Sequence, residues 1–477
     1  MIWLDREGRR AYHRRELERW QIFESVQMQP SLETLPRRVG RPRRRGNRLP
    51  TFTWASFAVG FGLLFCCMSV FEGMIRWILS QADLEPLVYA RDAFLGLSAA
   101  CGFIHAYLRG YKTSVRLVVI LAGSVALWTF IGHHFDHSWM QSLFGLKSYL
   151  PLFAGLLTSR SFFKSPASRS ILWLLWMIAV AGVVLSALVD LPWKGAIYAI
   201  GDQEVEGQKE WTINGVDRLA GFARSSIDAA VQIGMLGVVL MRYSRGSIRA
   251  IVALASIGAI ALTTARGELI GFVFGAATLL TCLSPWLRQF RKILVPMPLA
   301  PALAVMVCMY IPSSLDVIGH LGSTGMLTTD SFVARGEAIW KDAWDMQIHR
   351  GSIILGRGIG GIGAAQKLYE PRYYNPADNN FVFLVVTFGV AATFVITLLT
   401  LVYWTLSVVR TPLESALPLA CAAVWFGIGV TSNCIEDEIL MFFVAATWMP
   451  PEMLRRALPG RNAPLPAEEE RSLLRSA

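Results

Sequence analysis

Charge is scarce in this sequence and unevenly spread. Only 17% of its 477 residues are Asp, Glu, Lys or Arg, where soluble chains carry about a quarter. The charges gather in short clusters, and the stretches between them are nearly free of them. That pattern excludes an ordinary soluble fold and leaves repeated bilayer spans, each needing about twenty apolar residues. The seven cysteines (Cys66, Cys67, Cys101, Cys282, Cys308, Cys421 and Cys434) show no metal-ligand spacing. Six of them lie inside apolar runs and read as small packing residues. Histidine is equally thin. His320 and His349 lack zincin-like spacing, and His133, His134 and His137 read as a solvated loop rather than a metal site. No metal and no cofactor is expected. A cleavable signal peptide is not expected either, because the first apolar stretch is too long and starts too late.

What charge there is leans positive, with a formal net of +11. Much of the excess lies in the first fifty residues, including Arg37, Arg38, Arg41, Arg43, Arg44, Arg45 and Arg48, and a hydrophobic span follows from about Thr51. Basic residues beside a membrane helix set its orientation and attract anionic lipid headgroups. A nucleic-acid partner is excluded, since no aromatics are interleaved with these residues in a folded module. Residues 1–50 therefore read as a cytoplasmic arm. Its first part, with Arg14, Arg15, Glu16, Glu18 and Trp20, suits a short amphipathic helix on the membrane surface, and its Pro- and Arg-rich second part suits disorder.

The fold class that follows is all-α and polytopic, with about twelve transmembrane helices. The apolar runs fall at 52–73, 86–108, 115–133, 139–158, 171–190, 225–242, 248–264, 267–285, 293–312, 379–406, 415–431 and 437–451. Residues 51–452 then form the membrane domain and 453–477 a cytoplasmic tail. Every second connection is basic, carrying in turn Arg109, Lys112 and Arg116; Arg160, Lys164 and Arg169; Arg242, Arg245 and Arg249; Arg288, Arg291 and Lys292; Arg410; and Arg455 and Arg456. Positive residues stay inside, so both termini are expected in the cytoplasm. The loops on the other side are longer and more acidic. Loop 191–224 carries Asp202, Glu204, Glu206 and Glu210 before Arg218 and Arg224, and loop 313–378, between the ninth and tenth helices, holds Arg335, His349, a glycine-dense run and Asp378. Loops of that length are usually functional, so the working surface is expected to face away from the cytoplasm.

Several charges near the spans need an explanation. Arg266 lies between two apolar helices with almost no loop, where an ionisable group faces a cavity, a partner such as Glu268, or the headgroups. Lys147 poses the same choice in the fourth span, with snorkelling as the simpler answer. Arg218 and Arg224 flank Leu219-Ala220-Gly221-Phe222-Ala223 ahead of a span that carries Asp228. Arg335 opens an amphipathic segment through Glu337, Trp340 and Trp344. Each pair or helix suits a solvated surface when taken alone. Converging on one cavity, however, guanidinium groups bind phosphate oxygens bidentately and keep their charge near lipid. They would also stabilise the charge that builds on a departing pyrophosphate. The run Gly356-Arg357-Gly358-Ile359-Gly360-Gly361-Ile362-Gly363 is a weak match to a nucleotide loop, because no strand-to-helix unit surrounds it. Close backbone approach or a phosphate-cradling turn fits it better.

Taken in order, these features resemble the O-antigen polymerase and ligase family of bacterial envelope glycosyltransferases, over roughly residues 215–395. Arg218-Leu219-Ala220-Gly221-Phe222 is similar to the family's segment ahead of a mid-chain helix, and Thr263-Thr264-Ala265-Arg266-Gly267 to its short turn between two helices. Arg335 with Trp340 and Trp344, then Gly356-Arg357-Gly358-Ile359-Gly360, resembles its large periplasmic loop. Asp378-Asn379-Asn380-Phe381, leading to Gly389, resembles the end of that loop. Ligases of the family carry His-Asn where this chain has Asp378-Asn379, which leans the reading towards a polymerase. The resemblance implies a multi-pass protein of the bacterial inner membrane, working at the periplasmic face without a cofactor. Its donor and acceptor would be undecaprenyl-pyrophosphate-linked glycans, with membrane lipids around it and a flippase and a chain-length regulator as candidate partners. Arg218, Arg224, Arg266 and Arg335 would bind pyrophosphate and aid its departure. Asp378 would serve as base or orienting group, with Glu337 in reserve, and Asn379, Gly356 and Gly358 would position the acceptor or the loop. A ligase acting on lipid A core is the near alternative. A polysaccharide or lipid-linked glycan transporter is the distant one, though it would be expected to show internal repeats or charges at mid-membrane depth.

Overall fold

A computed structural model describes residues 53–448 apart from 201–202, 211, 214–215, 285, 298, 300–334 and 411–414. The basic arm, the tail, most of the 293–312 span and the first part of loop 313–378 lie outside the described residues. Everything described belongs to one compact unit, Phe52–Ala477.

The apolar runs form helices close to where hydropathy places them. They are α1 (Trp54–Val70), α2 (Glu72–Gln81), α3 (Ala90–Leu108), α4 (Lys112–His134), α5 (Trp139–Lys147), α6 (Leu150–Thr158), α7 (Pro166–Leu188), α8 (Ser226–Tyr243), α9 (Gly246–Leu262) and α10 (Arg266–Leu283). After the undescribed stretch come α11 (Lys341–Arg350), α12 (Ala364–Tyr369), α13 (Asn380–Arg410), α14 (Ala416–Gly429) and α15 (Glu438–Ala446). Among the described residues six helices are individually long and apolar enough to cross a bilayer, or seven if the bent pair α1–α2 counts as one. The others read as spans are shorter, such as α9 with 17 residues and α14 with 14. Segment 191–224 departs from a purely helical reading. It holds two antiparallel hairpins, Ile197–Ile200 with Gln203–Glu206 and Thr212–Ile213 with Val216–Asp217.

Burial separates the helices into a centre and a rim. α8 is 78% buried across its apolar window and packs against α7, α9, α10, α14 and α15, whereas α4 is only 17% buried. Large apolar side chains such as Ile120, Phe130, Leu254 and Phe394 stand exposed on α4, α9 and α13. Exposed apolar faces on helices of this length are those of a polytopic membrane protein, whose backbone polar groups are satisfied within each helix. α10 and α14 approach closely through small residues. A Cβ on Gly427 would lie 2.6 Å from the Gly271 Cα, the kind of contact that drives association where no hydrophobic effect acts between helices.

Among the described residues three spans are broken, and at two of the breaks another segment supplies the hydrogen bonds. α1 and α2 bend by 79° at Phe71. The amides freed there, of Gly73 and Met74, donate to the Phe222 carbonyl at 2.9 and 3.3 Å. The fourth span divides into α5 and α6 at Ser148–Tyr149. α13 unwinds at Gly389, where φ is +77°. The glycine run meets that break: Arg357 and Gly358 amides donate to the carbonyls of Val386 and Thr387 at 2.7 and 3.0 Å, and Val390 donates to Ile353 at 2.9 Å. The Ile359 amide donates to Trp128 of α4 at 3.0 Å. Close backbone approach is thus the observed role of Gly356 and Gly358, whose φ values are +82° and +84°. Arg357, 2% exposed, is locked in place by Glu370 and the Gly361 carbonyl.

One reading is corrected. His137 is not solvated but buried at 1% exposure, beside Glu370 at 3.9 Å. Burial and the Arg357 charge push its pKa down to about 4, so it is a neutral packing group at physiological pH.

Candidate functional site

The N-terminal ends of α3, α8, α10, α13 and α15 meet at one end of the bundle, beside the segments 191–224 and 335–378. Helix N-termini favour negative charge, and the side chains gathered here are mostly charged. The local sequence explains their placement. Gly221, with φ +61°, lies so close to Gly182 of α7 that a Cβ would come within 2.8 Å of that glycine's carbonyl carbon. Phe222 then inserts against Phe71 and Trp193, with ring centroids 5.6 Å away in both cases. This wedge holds the two arginines that flank it, Arg218 and Arg224, towards the bundle end.

Arg335 and Asp378 form an ion pair, Nε donating to Oδ2 at 3.1 Å, with both side chains about a third exposed. Arg335 opens a π-helical turn, Arg335–Trp340, a rare geometry that recurs at functional sites. Asp378 follows Ala377, and both hold positive φ, so the chain turns sharply into α13. Arg218 completes the group. Burial lowers its pKa from the ordinary arginine value, Glu268 opposes that shift, and Arg335 reinforces it. Glu268 itself is buried and accepts from Ser432 Oγ at 3.2 Å. A second group lies alongside. The half-buried Lys209 is lowered by burial first and then by Arg224 and Lys367, with Asp228 opposing. The Lys209 amide donates to the Arg224 carbonyl at 2.8 Å. The Arg224 Nε is buried without a hydrogen-bond partner among the described residues.

The remaining sequence candidates fall elsewhere. Arg266 is exposed and makes no ion pair among the described residues, not even with Glu268. Glu337 is likewise exposed. Asn379 is fully buried and caps α13, accepting from the Phe381 amide at 2.7 Å while its Nδ2 donates to the Val430 carbonyl at 2.9 Å. Gly356 and Gly358 lie at the α4–α13 contact. Lys147 does not snorkel. It pairs with Asp92 at 2.8 Å, within a buried network that joins Arg91 to Glu438 at 2.6 Å and to Glu72, and Glu72 to Arg76.

Sequence reasoning missed that network, and it missed Glu436. The Glu436 carboxylate accepts from the Ala364 amide at 2.8 Å and from Asn433 at 3.0 Å. Burial pushes its pKa up from 4.5 to about 7. The folded state then binds this proton more tightly than the unfolded chain, so Glu436 lowers stability as pH rises from about 4.5 to about 7. In Glu436→Gln that contribution is gone. The variant should gain on the wild type across this window, by at most about 3 kcal/mol before solvent screening. Thermal unfolding of both proteins in detergent at several pH values checks it. A difference between them that does not change with pH would refute the assignment.

Residues 250–397, from α9 through the first half of α13, match the sequence model of a family described as O-antigen ligase. No curated protein and no solved structure matches. The matched segment contains Arg266, Glu268, Arg335 and Asp378, while Arg218 and Arg224 precede it. Residues 250–397 are thus similar to the O-antigen ligase domain, within a chain whose long apolar helices are those of a membrane protein.

Proposed function

We propose that this protein is a glycosyltransferase of the bacterial inner membrane that polymerises undecaprenyl-pyrophosphate-linked repeat units at the periplasmic face. The observation that carries the reading is the partly exposed Arg335–Asp378 ion pair where the chain turns into α13. The acceptor hydroxyl oxygen attacks the anomeric carbon of the donor, and the bond from that carbon to the pyrophosphate oxygen breaks with its electron pair leaving on pyrophosphate. Arg335 and Arg218 bind the leaving group, and the hydroxyl proton passes to a carboxylate. Until substrate arrives, Arg335 holds Asp378. Pyrophosphate competes for the guanidinium and releases the carboxylate to accept the proton. Direct displacement inverts the anomeric carbon. Arg224, with Lys209 and Lys367, extends the anion-binding surface, and Arg266 closes on the pyrophosphate only when it is bound.

A ligase that moves the glycan onto a second lipid is the alternative, favoured by the description of the matching family, while Asp378 in place of histidine favours the polymerase. The glycan profile of cells carrying Asp378→Ala or Arg266→Ala, with protein level checked in the membrane, separates them. Single repeat units left on lipid carrier mark a polymerase, and polymer left unattached to its final acceptor marks a ligase. Normal polymer in both variants would remove these residues from the site and favour a transporter.

A further inference from the structure

Ala377 and Asp378 are consecutive non-glycine residues in the left-handed region, with φ of +65° and +44°. Such a stretch is strained and persists only where its surroundings fix it. Asn379 fixes the far side as the cap of α13. The near side is fixed by Asn375. Its side-chain Oδ1 accepts from the Ala377 amide at 2.8 Å, the turn an asparagine closes on its own backbone two residues on.

The same side chain also reaches the segment of Arg335. Asn375 Nδ2 donates to the Ile339 carbonyl at 2.7 Å, inside the π-helical turn Arg335–Trp340. One side chain thus ties the turn that carries Arg335 to the turn that carries Asp378. A side-chain amide suits this task, because it holds a donor and an acceptor at one reach. The backbone of Asn375 is anchored as well. Its amide donates to Oε1 of the buried Gln366 at 2.9 Å, and its carbonyl accepts from the Gly363 amide at 3.1 Å. The residue after that glycine, Ala364, is the one whose amide Glu436 holds. Asn375 is 5% exposed. With its amide, its carbonyl and both side-chain polar atoms bonded to protein, it acts through its neighbours and not on a ligand.

We propose that Asn375 is a positioning residue for glycan transfer, which sets Arg335 against Asp378 by holding together the two turns that carry them. This rests on the glycosyltransferase reading above. In that reading the two groups serve opposite ends of the reaction, Arg335 the departing pyrophosphate and Asp378 the incoming hydroxyl. Their spacing is therefore part of the chemistry, and a misplacement of about 1 Å can cost a factor of about 100 in rate.

The test is a double-mutant cycle on the full-length protein in nanodiscs. Its readout is single-turnover transfer from the lipid-linked repeat unit extracted from the producing cells, normalised to protein. Asn375→Asp keeps the size of the side chain and the acceptor for Ala377, and removes the donor to Ile339. It therefore acts through the turn of Arg335. It should slow transfer at least tenfold in the wild-type background, and less than threefold in Arg335→Ala, where that turn has no guanidinium left to place. Asn375→Ala removes both bonds without adding a charge. It should also cost at least tenfold, with a loss in Arg335→Ala at least threefold smaller than in the wild-type background. A residue that serves only the fold would impose the same factor in both backgrounds, so additive losses for both variants would overturn the proposal. Wild-type rates in both variants would overturn it too. So would the failure of both to reach the membrane at wild-type level, which would make Asn375 a folding residue. If the wild type itself transfers no glycan, the glycosyltransferase reading fails and the positioning role falls with it.

Discussion

Arg335→Ala should lower the rate of glycan transfer by a factor of about 100 to 1,000, the loss expected when one donor to a developing anion is removed. The protein should still fold. The Arg335–Asp378 pair is partly exposed, and pairs of that kind contribute about 0–1 kcal/mol to stability. The effect would thus fall on the chemistry and not on the amount of enzyme. Arg335→Lys should recover only part of the rate, because an ammonium lacks the planar fork that holds two phosphate oxygens at once. Single-turnover transfer from purified lipid-linked glycan, normalised to protein in the nanodisc, gives the number. A rate within about threefold of wild type would place the pyrophosphate elsewhere, most plainly at Arg224 and Lys209. The alanine variant also frees Asp378 from that pair, so a rate loss despite a released carboxylate would assign the deficit to the leaving group.

Gly358→Ala should be the most damaging small substitution in the 335–378 segment. Its φ of +84° is one that L residues adopt only under strain, and an added Cβ would lie 2.6 Å from the Trp128 carbonyl oxygen and closer still to the Gly132 backbone. Neither neighbour is a side chain that can rotate away. Strain of about 1–3 kcal/mol therefore adds to displacement of α4, and the total should exceed about 3 kcal/mol. Gly110→Ala is the control. It has a similar φ of +66° but nothing within 4 Å of the added carbon, so it should cost about 1 kcal/mol. Unfolding temperature in detergent, with yield in the membrane, reads both. Similar behaviour of the two variants would mean that the glycine run is not wedged between α4 and α13.

The contrast between these two glycines shows where sequence reasoning reaches its limit. Left-handed backbone can be suspected from glycine itself, but the surface that makes it matter comes from a segment more than two hundred residues away. Hydropathy placed most helices to within a few residues because apolar length is a local property. It did not reveal the breaks at Phe71, Ser148–Tyr149 and Gly389, since a break changes hydrogen bonding and leaves average polarity alone. The site was legible in the same uneven way. Arg335, Asp378 and Arg218 stood out because charge next to apolar spans is costly. By the same rule Arg91 and Glu72 deserved suspicion, but they sit at span ends, where charge is ordinary. Arg91 meets Glu438 across 347 positions of sequence, a pairing that only the fold can supply. Glu268 was read as a neighbour for Arg266, although two positions apart on a helix point to different sides. The structure turns it instead towards Ser432, which donates to it at 3.2 Å.

The hydrogen bonds that close the break in α13 also impose an order of assembly. Residues 352–359 emerge from the ribosome before Val386, Thr387 and Val390, the groups they bond to. Asn379 and Asn380 emerge before Val430 and Cys434, which anchor them. The segment that carries Arg335 must therefore wait, already made but unlatched, for α13 and α14 to be inserted. Completion of the site is a late event in biogenesis, and a chain stopped before residue 434 would hold every arginine of the site without the latch that sets Asp378 beside them.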